Sequence, residues 1–456
     1  MPSTRSERKK KVRADEPARV IRRVARAAKP AEPAVPVLRE PRRRRALSHV
    51  GGKVEFEGGT PEERKALEGA LRVAPDEEAT LAHVHGFHSY PARLHPDTAR
   101  RLIDGLSKPG DLVLDSFCGS GTVLVEARLA GRRAVGIDVN PLAVELAWLK
   151  ANGPGADWVK QVAEGAHFAA EHANDRRLTK AGATHRYDEA DVKLFAPHVL
   201  LELDGLRDGI DQIDQPALHR ALMLVLSATL TKVSKTSSDT NRYEAPKRVA
   251  TGFAINFFVQ KAEDLARRLG AAGRLLPEKA TTARLIHGDA RDLQEVRPGS
   301  VDLVVTSPPY PGVYDYIVHH RDRLRWLRLE AERFERFEIG ARRHARSVAG
   351  SDALARFKKE FGAAMSEIGR VLSPRGRAVL IIADSVLGGR AVRADELVKD
   401  LALGARLEIG AVASQLRPYF HAPTEKAFAD SPREEHAVLL RPWADRALPG
   451  RTQRSR

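Results

Sequence analysis

The chain has 456 residues, enough for one large domain with insertions or for two domains. Charged residues make up 30% and aromatics 5%, and no apolar run approaches the roughly 18 residues of a membrane span, which excludes a membrane-embedded class. A single cysteine, Cys118, excludes an intramolecular disulfide and a cysteine-rich zinc site, and the basic start of the chain lacks the apolar core of a secretory signal.

The net charge of +16 is unevenly placed. Residues 1–50 hold 16 Lys and Arg against 5 Asp and Glu, a net +11, which leaves only +5 for all the rest. The densest runs are Arg8-Lys9-Lys10-Lys11 and Arg42-Arg43-Arg44-Arg45, and Pro30 to Pro36 between them reads as an extended linker. Two compatible readings stand for this segment: a disordered solubilising tail, and a nonspecific arm that neutralises phosphates.

In chain order, Pro61-Glu62-Glu63-Arg64 predicts a helix start, and residues 97–106 predict an amphipathic helix. Asp111-Leu112-Val113-Leu114-Asp115 is a short buried strand. It runs into Ser116-Phe117-Cys118-Gly119-Ser120-Gly121-Thr122 and then into a helical pattern. Glycines at such a turn permit unusual dihedrals and close approach of the backbone to a ligand. Arg133 to Asp138 is a second strand ending in a carboxylate, a position that in α/β units takes ribose hydroxyls. The G-x-G-x-x-G pyrophosphate cradle is absent, which suits a nucleoside without phosphates, such as S-adenosylmethionine. Asn140-Pro141 caps the next helix.

From about 155 to 280 the pattern is largely helical and reads as an insertion in the α/β core. It is interrupted by a basic, hydroxyl-rich stretch, 232–248, that suits either phosphate contact or a plain surface loop. The sheet resumes at Ala283 to Asp289. Val301 to Val305 is a buried strand closed by Thr306-Ser307-Pro308-Pro309-Tyr310. Two prolines cannot continue a ladder, so the strand ends in a stiff turn offering carbonyl oxygens, a hydroxyl and an aromatic face. Such a turn can receive a planar base with an exocyclic amino group. A long charged stretch follows over 316–348, in which Arg321, Arg323 and Arg325 read as surface or nucleic-acid contacts and His319-His320 as a solvated face without metal-ligand spacing. A helix over 352–372, a strand over 377–384 and weaker strands near 405–416 and 435–441 complete the chain. The alternation predicts an α/β fold with a mostly parallel sheet and helices on both faces. Asp115, Asp138, Asp289 and Ser307 would all face the crevice beyond the strand ends.

With these motifs the chain resembles an amino-group DNA methyltransferase, nearest to the cytosine-N4 type. Asp115 to Thr122 is similar to that family's cofactor loop, Ser307-Pro308-Pro309-Tyr310 to its catalytic motif, and Phe87 to Pro96 to the element that covers the cofactor. The resemblance covers roughly 85–150 and 284–390. It implies a Rossmann-like methyltransferase sheet and S-adenosylmethionine as cofactor. The implied cofactor residues are Asp115 on the methionine amino group, Phe117, Cys118, Gly119, Gly121 and Thr122 along the methionine, Asp138 on the ribose, and Asp289 with Ala290 at the adenine. Cys118 would serve mainly in packing. Ser307, Pro308, Pro309 and Tyr310 are the implied catalytic residues. His88 and Tyr90 either close over the cofactor or line the target pocket, the alternative being that Phe87 and Tyr90 are core aromatics. No metal is expected. No cysteine stands at the catalytic turn, so the thiolate route of cytosine-C5 methylation is closed.

The expected organisation is a basic tail (1–50), the first part of the core (51–154), the helical insertion (155–280), the second part of the core (281–445) and a short basic tail (446–456). The expected activity is methyl transfer to the N4 amino group of a cytosine flipped out of double-stranded DNA, in a cytoplasmic, nucleoid-associated protein, with a possible restriction endonuclease partner. Adenine-N6 in DNA, a base amino group in RNA, protein glutamine methylation and a DNA-binding protein with an inactive core are the alternatives.

Overall fold

The computed structural model describes residues 52–73, 77–153, 156–235, 248–343, 350–418 and 422–443. Both basic tails and most of the 232–248 stretch lie outside the described residues.

The centre is an eight-stranded sheet. In chain order its strands are β1 (Glu55–Gly58), β2 (Leu112–Asp115), β3 (Arg133–Asp138), β4 (Arg284–His287), β5 (Val301–Thr306), β6 (Leu372–Ala383), β9 (Leu407–Leu416) and β10 (Glu434–Pro442). A separate hairpin holds β7 (Ser385–Leu387) and β8 (Arg390–Val392). The spatial order is β1-β9-β10-β6-β5-β2-β3-β4. The five strands from β4 to β6 pair in parallel, and β10 runs against its neighbours β6 and β9. The short β1 and the β7–β8 hairpin carry no clear periodic signal and are additions to the elements read from the sequence.

Side chains alternate across this sheet with period two. Val113, Leu303, Val305, Val379 and Ile381 enter one apolar cluster, while Leu114, Val304, Leu380 and Ile382 enter the other. Burial on both faces explains why these strands read as continuous apolar runs. On the first face lie α1 (Pro61–Leu71), α3 (Pro96–Leu106), α4 (Thr122–Leu129) and α5 (Pro141–Asn152); a short α2 (Glu77–Leu81) precedes α3. The second face is covered by α13 (Gly350–Val371) and α14 (Ala394–Ala402). This is a Rossmann-like α/β fold, mostly parallel and covered by helices on both sides.

Helix starts follow local chemistry. Thr60 and Glu63 form a capping box on α1, and Asn140 accepts from Leu142 N ahead of Pro141 on α5. Glu63 is buried and also receives Arg441 at 2.6 Å and Arg377 at 3.3 Å, which ties α1 to the sheet.

Between β3 and β4 the described residues form α5 and then α6 (Ala156–Leu178), α7 (Glu189–Leu194), α8 (Pro197–Asp211), α9 (Pro216–Val233) and α10 (Phe253–Leu275). Helices α6 and α8 approach closely because Gly205 and Gly209 face Ala173 and Ala169; a Cβ on Gly209 would lie 2.9 Å from the Ala169 Cα. The helical block is joined to the core by Arg220, which forms a two-point ion pair with Glu145 (2.9 and 2.9 Å) and lies 3.9 Å over the Trp148 ring. No helix among the described residues is long and apolar enough to cross a membrane.

Gly121, the N-cap of α4, has φ +85°, and a Cβ there would meet the Ala147 Cα of α5 at 2.8 Å. Backbone conformation and packing both require glycine. Gly121→Ala should destabilise the protein by about 1–3 kcal/mol, read as a lower urea midpoint; an unchanged midpoint would contradict this account.

Candidate active site

The glycine turn after β2 is held by neighbouring strand ends. Cys118 N donates to Ile137 O at 2.9 Å, and Gly121 N to Cys118 O at 2.8 Å. The Asp138 carboxylate accepts from Gly119 N (2.8 Å) through one oxygen and from Asn140 N (2.9 Å) through the other. Asp115 accepts from Phe117 N (3.1 Å) and from the Thr306 hydroxyl (2.6 Å). Thr306 immediately precedes Ser307, so one buried carboxylate fixes the glycine turn and the proline turn together.

Beyond these strand ends lies a cavity enclosing about 690 Å³, mouth included. Its floor is Ser116, Phe117 and Gly119 from the glycine turn, Asp138 to Asn140 after β3, Asp289 and Ala290 after β4, and Ser307 and Pro309 from the proline turn. Its roof comes from two segments. One carries Tyr90 and Ala92. The other is the return after the proline turn, α11 (Tyr316–Trp326) and α12 (Glu332–Phe337), which brings Tyr316, Phe334, Phe337, Glu338 and Ile339. Tyr90 and Tyr316 are stacked, with centroids 6.3 Å apart and an 18° interplanar angle. The Tyr90 hydroxyl accepts from Asn140 Nδ2 at 3.1 Å, and the same amide group lies 3.0 Å from His320 Nδ1.

Eight residues singled out from the sequence therefore line one cavity: Tyr90, Phe117, Gly119, Asp138, Asp289, Ala290, Ser307 and Pro309. The others do not. Asp115 is buried beneath the turn against Thr306. Cys118 packs under β3, where a Cβ on Gly136 would meet its Sγ at 3.1 Å. Gly121 and Thr122 face helix packing, and Pro308 is buried. Tyr310 is half-buried and packs against the second apolar cluster. Burial pushes its phenol up, against a hydrogen bond from Ser307. The Asp289 carboxylate is engaged by Arg291, at 2.6 Å from Nη2, and the guanidinium of Arg291 lies over Phe337.

Several expectations are corrected. His88 does not close over the cavity; it is buried, 2.6 Å from Arg323 Nη1 and 3.1 Å from the Ser227 hydroxyl of α9. Arg323 is 2% exposed and also donates to Ser227 O at 2.6 Å, so it joins α11 to the helical block rather than facing phosphates. Arg325 pairs with Asp191 at 2.7 Å. His320 is buried, not on a solvated face, and burial pushes it down to about 3. The roof residues Tyr316, Phe334 and Phe337 were hidden in a stretch that reads as merely charged. Their only signal is the recurrence of aromatics at 310, 314, 316, 334 and 337.

Comparison with known proteins agrees with part of this picture. A family model described as a DNA methylase matches residues 39–148, which carry the glycine turn and Asp138. The "Type II methyltransferase M.MvaI" of Kocuria varians is 24% identical over 246 residues, 50% of this chain and 53% of that protein. The "Type II methyltransferase M.MjaII" of Methanocaldococcus jannaschii is 34% identical over 74 residues, 16% of this chain and 14% of its own. The tRNA (guanine(10)-N2)-dimethyltransferase of Methanothermobacter thermautotrophicus is 47% identical over 58 residues, 12% of this chain and 17% of its own. The chain thus spans about half or less of the relatives it matches. A solved SAM-dependent methyltransferase from Methanosarcina mazei aligns over 78% of this chain and 98% of its own at 11% identity, with a TM-score of 0.30, a likeness too weak to bear on function.

Burial pushes Asp115 up to about 7 and Asp138 up to about 6, outweighing their hydrogen bonds. Both carboxyls keep protons in the native state where the ordinary aspartates of an unfolded chain have lost them. The native state therefore binds more protons between the ordinary value of 3.8 and about 7, and this contribution to stability is lost as pH rises through that window. The buried histidines His85, His88 and His320 are pushed down by burial and act in the opposite sense. The informative quantity is thus the difference between the parent and Asp115→Asn. Denaturation at pH 5 and pH 8 should show the variant gaining on the parent at the higher pH; a constant difference would refute the assignment.

Proposed function

We propose that this protein is an S-adenosylmethionine-dependent DNA methyltransferase acting on the exocyclic N4 amino group of cytosine. The observation that carries this reading is the hydrogen bond from Thr306 to Asp115, because it holds the proline turn and the glycine turn at one cavity. The cavity's size, the close backbone at Gly119 and the paired acids Asp138 and Asp289 fit a nucleoside cofactor. Gly119 has φ +48°, a conformation that favours glycine, and a Cβ there would lie in van der Waals contact with the Tyr90 ring at 3.4 Å.

In this reading Asp138 accepts from the ribose hydroxyls, and Asp289 with Ala290 meets the adenine. Phe117 and Gly119 line the methionine arm, and Asp115 acts beneath them as a positioning residue. When bound, the cofactor supplies a methyl group already activated on a sulfonium. The remaining task belongs to the chain. An aromatic amine is a poor nucleophile because its lone pair is delocalised into the ring. Oxygens of Ser307 and Pro308 accept its N–H protons, which favours a pyramidal nitrogen and localises the lone pair. Tyr310 packs against the second apolar cluster outside the cavity lining, and in this reading its ring turns to stack on the base, worth about 1–3 kcal/mol. Methyl transfer would then form the amine N–C bond as the sulfonium S–C bond breaks, with the surplus amine proton passing to solvent; it depends on alignment of the two reactants and needs no covalent enzyme intermediate. Because the target amine is inaccessible inside a duplex, the base must be flipped out, at a cost of a few kcal/mol.

Serine at position 307 favours cytosine in the family this chain resembles, while adenine N6 suits the same turn. A second reading, methylation of a base amino group in RNA, is favoured by the likeness to the tRNA guanine-N2 enzyme. Transfer of labelled methyl to DNA and to total RNA, followed by nucleoside analysis, separates these readings. N4-methylcytosine in DNA is expected, and label confined to RNA would overturn the proposal. Tyr310→Ala and Asp138→Ala should both abolish detectable transfer. Asp138→Ala alone should weaken cofactor binding, by roughly ten- to a hundredfold given about 1.5–3 kcal/mol for a charged hydrogen bond. Calorimetric titration of both variants with cofactor reads this, and the reverse pattern would contradict the roles.

A further inference from the structure

Among the described residues two groups of three side chains bring metal-ligating atoms within 4.8 Å of one another: His83, His85 and Glu126, and Asp384, Asp395 and His436. The second group is explained by the fold. Asp384 already receives Arg393 (2.8 Å), Ala394 N (2.9 Å), Glu434 N (3.1 Å) and His436 (3.2 Å). The first group is not. His83 Nδ1 is buried with no hydrogen-bond partner among the described residues. Its backbone has φ +32°, a conformation unfavourable for a residue with a Cβ. Arg268 holds the turn in that shape by donating to Leu81 O and His83 O, each at 2.7 Å. An unsatisfied ring nitrogen on a strained, clamped turn points to a missing partner.

The two other members are prepared as ligands. His85 Nε2 lies 2.8 Å from Glu126 Oε1, and both side chains are buried. Arg100 Nε occupies Oε2 at 2.9 Å and orients the group, leaving Oε1 toward the histidines.

We propose that His83, His85 and Glu126 form a binding site for one divalent transition ion of the zinc type, clamping the turn His83–Gly86 onto α4. Two imidazole nitrogens and one carboxylate oxygen suit such an ion and leave a fourth position for water. To ligate through Nε2, neutral His85 would carry its proton on Nδ1, so binding need release none. The clamp is structural. The turn leads directly to Tyr90 in the cavity roof, and α4 begins at the glycine turn in its floor.

The test uses the full chain stripped with a chelator and titrated with Co²⁺, whose visible absorption reports coordination, followed by displacement with Zn²⁺. We expect saturation at one Co²⁺ per chain, loss of the absorption on adding Zn²⁺, and affinity reduced more than about tenfold in His83→Ala. His83 is only partly buried, and thermal unfolding of variant and parent in chelator checks that the variant folds. A Glu126→Gln variant that still folds should lose the same absorption. Absence of saturable binding, or equal affinity in the parent and His83→Ala, would overturn the proposal.

Discussion

The hydrogen bond from the Thr306 hydroxyl to Asp115 connects two strand ends that lie 191 residues apart in the chain and adjacent in the sheet. Everything proposed for the site depends on this link. The donor belongs to the residue before the proline turn, and the acceptor is the residue before the glycine turn. A carboxylate buried this deeply is unfavourable unless its oxygens are used. Its two donors, Phe117 N and the Thr306 hydroxyl, both reach Oδ1 and set the spacing between the turns. Parallel pairing of β2 with β5 brings the turns side by side. The carboxylate then fixes them at the scale of single atoms.

Asp138 performs the same service toward β3. Each of its oxygens holds one backbone N–H, at Gly119 and at Asn140, and it still lines the cavity. Asn140 extends the chain of contacts upward to Tyr90 and His320, so the roof is registered to the floor through one amide side chain. The roof is largely aromatic, which excludes water and strengthens polar interactions beneath it. The proposed methyl transfer, controlled by alignment, would benefit from both effects.

The helical block between β3 and β4 is bound into the same framework. Arg323 reaches from α11 to Ser227 on α9 and to His88, while Arg220 reaches from α9 to Glu145 and Trp148 on α5. Arg323, which reads as a surface or nucleic-acid contact in the sequence, is thus engaged in joining layers of the fold. The block and the roof are mechanically coupled through α11, whose first residue is Tyr316 in the cavity and whose last is Trp326 against the Tyr187 ring.

The sequence by itself determined the features with local causes. A glycine pair, a proline pair and acids at the ends of apolar runs place strand ends, and strand ends of a parallel sheet share one edge. That was enough to bring Phe117, Gly119, Asp138, Asp289, Ala290, Ser307 and Pro309 to a common cavity. Only the tertiary structure decided which glycine faces the ligand side and which faces a helix. It also decided that Asp115 anchors from below, that His88 and Arg323 are buried together 235 residues apart in sequence, and that a charged stretch folds back as an aromatic roof. The grouping of His83, His85 and Glu126 is of the same kind, since Glu126 lies 41 residues beyond His85. Such pairings depend on which surfaces pack against each other, and no short-range pattern in the chain carries that information.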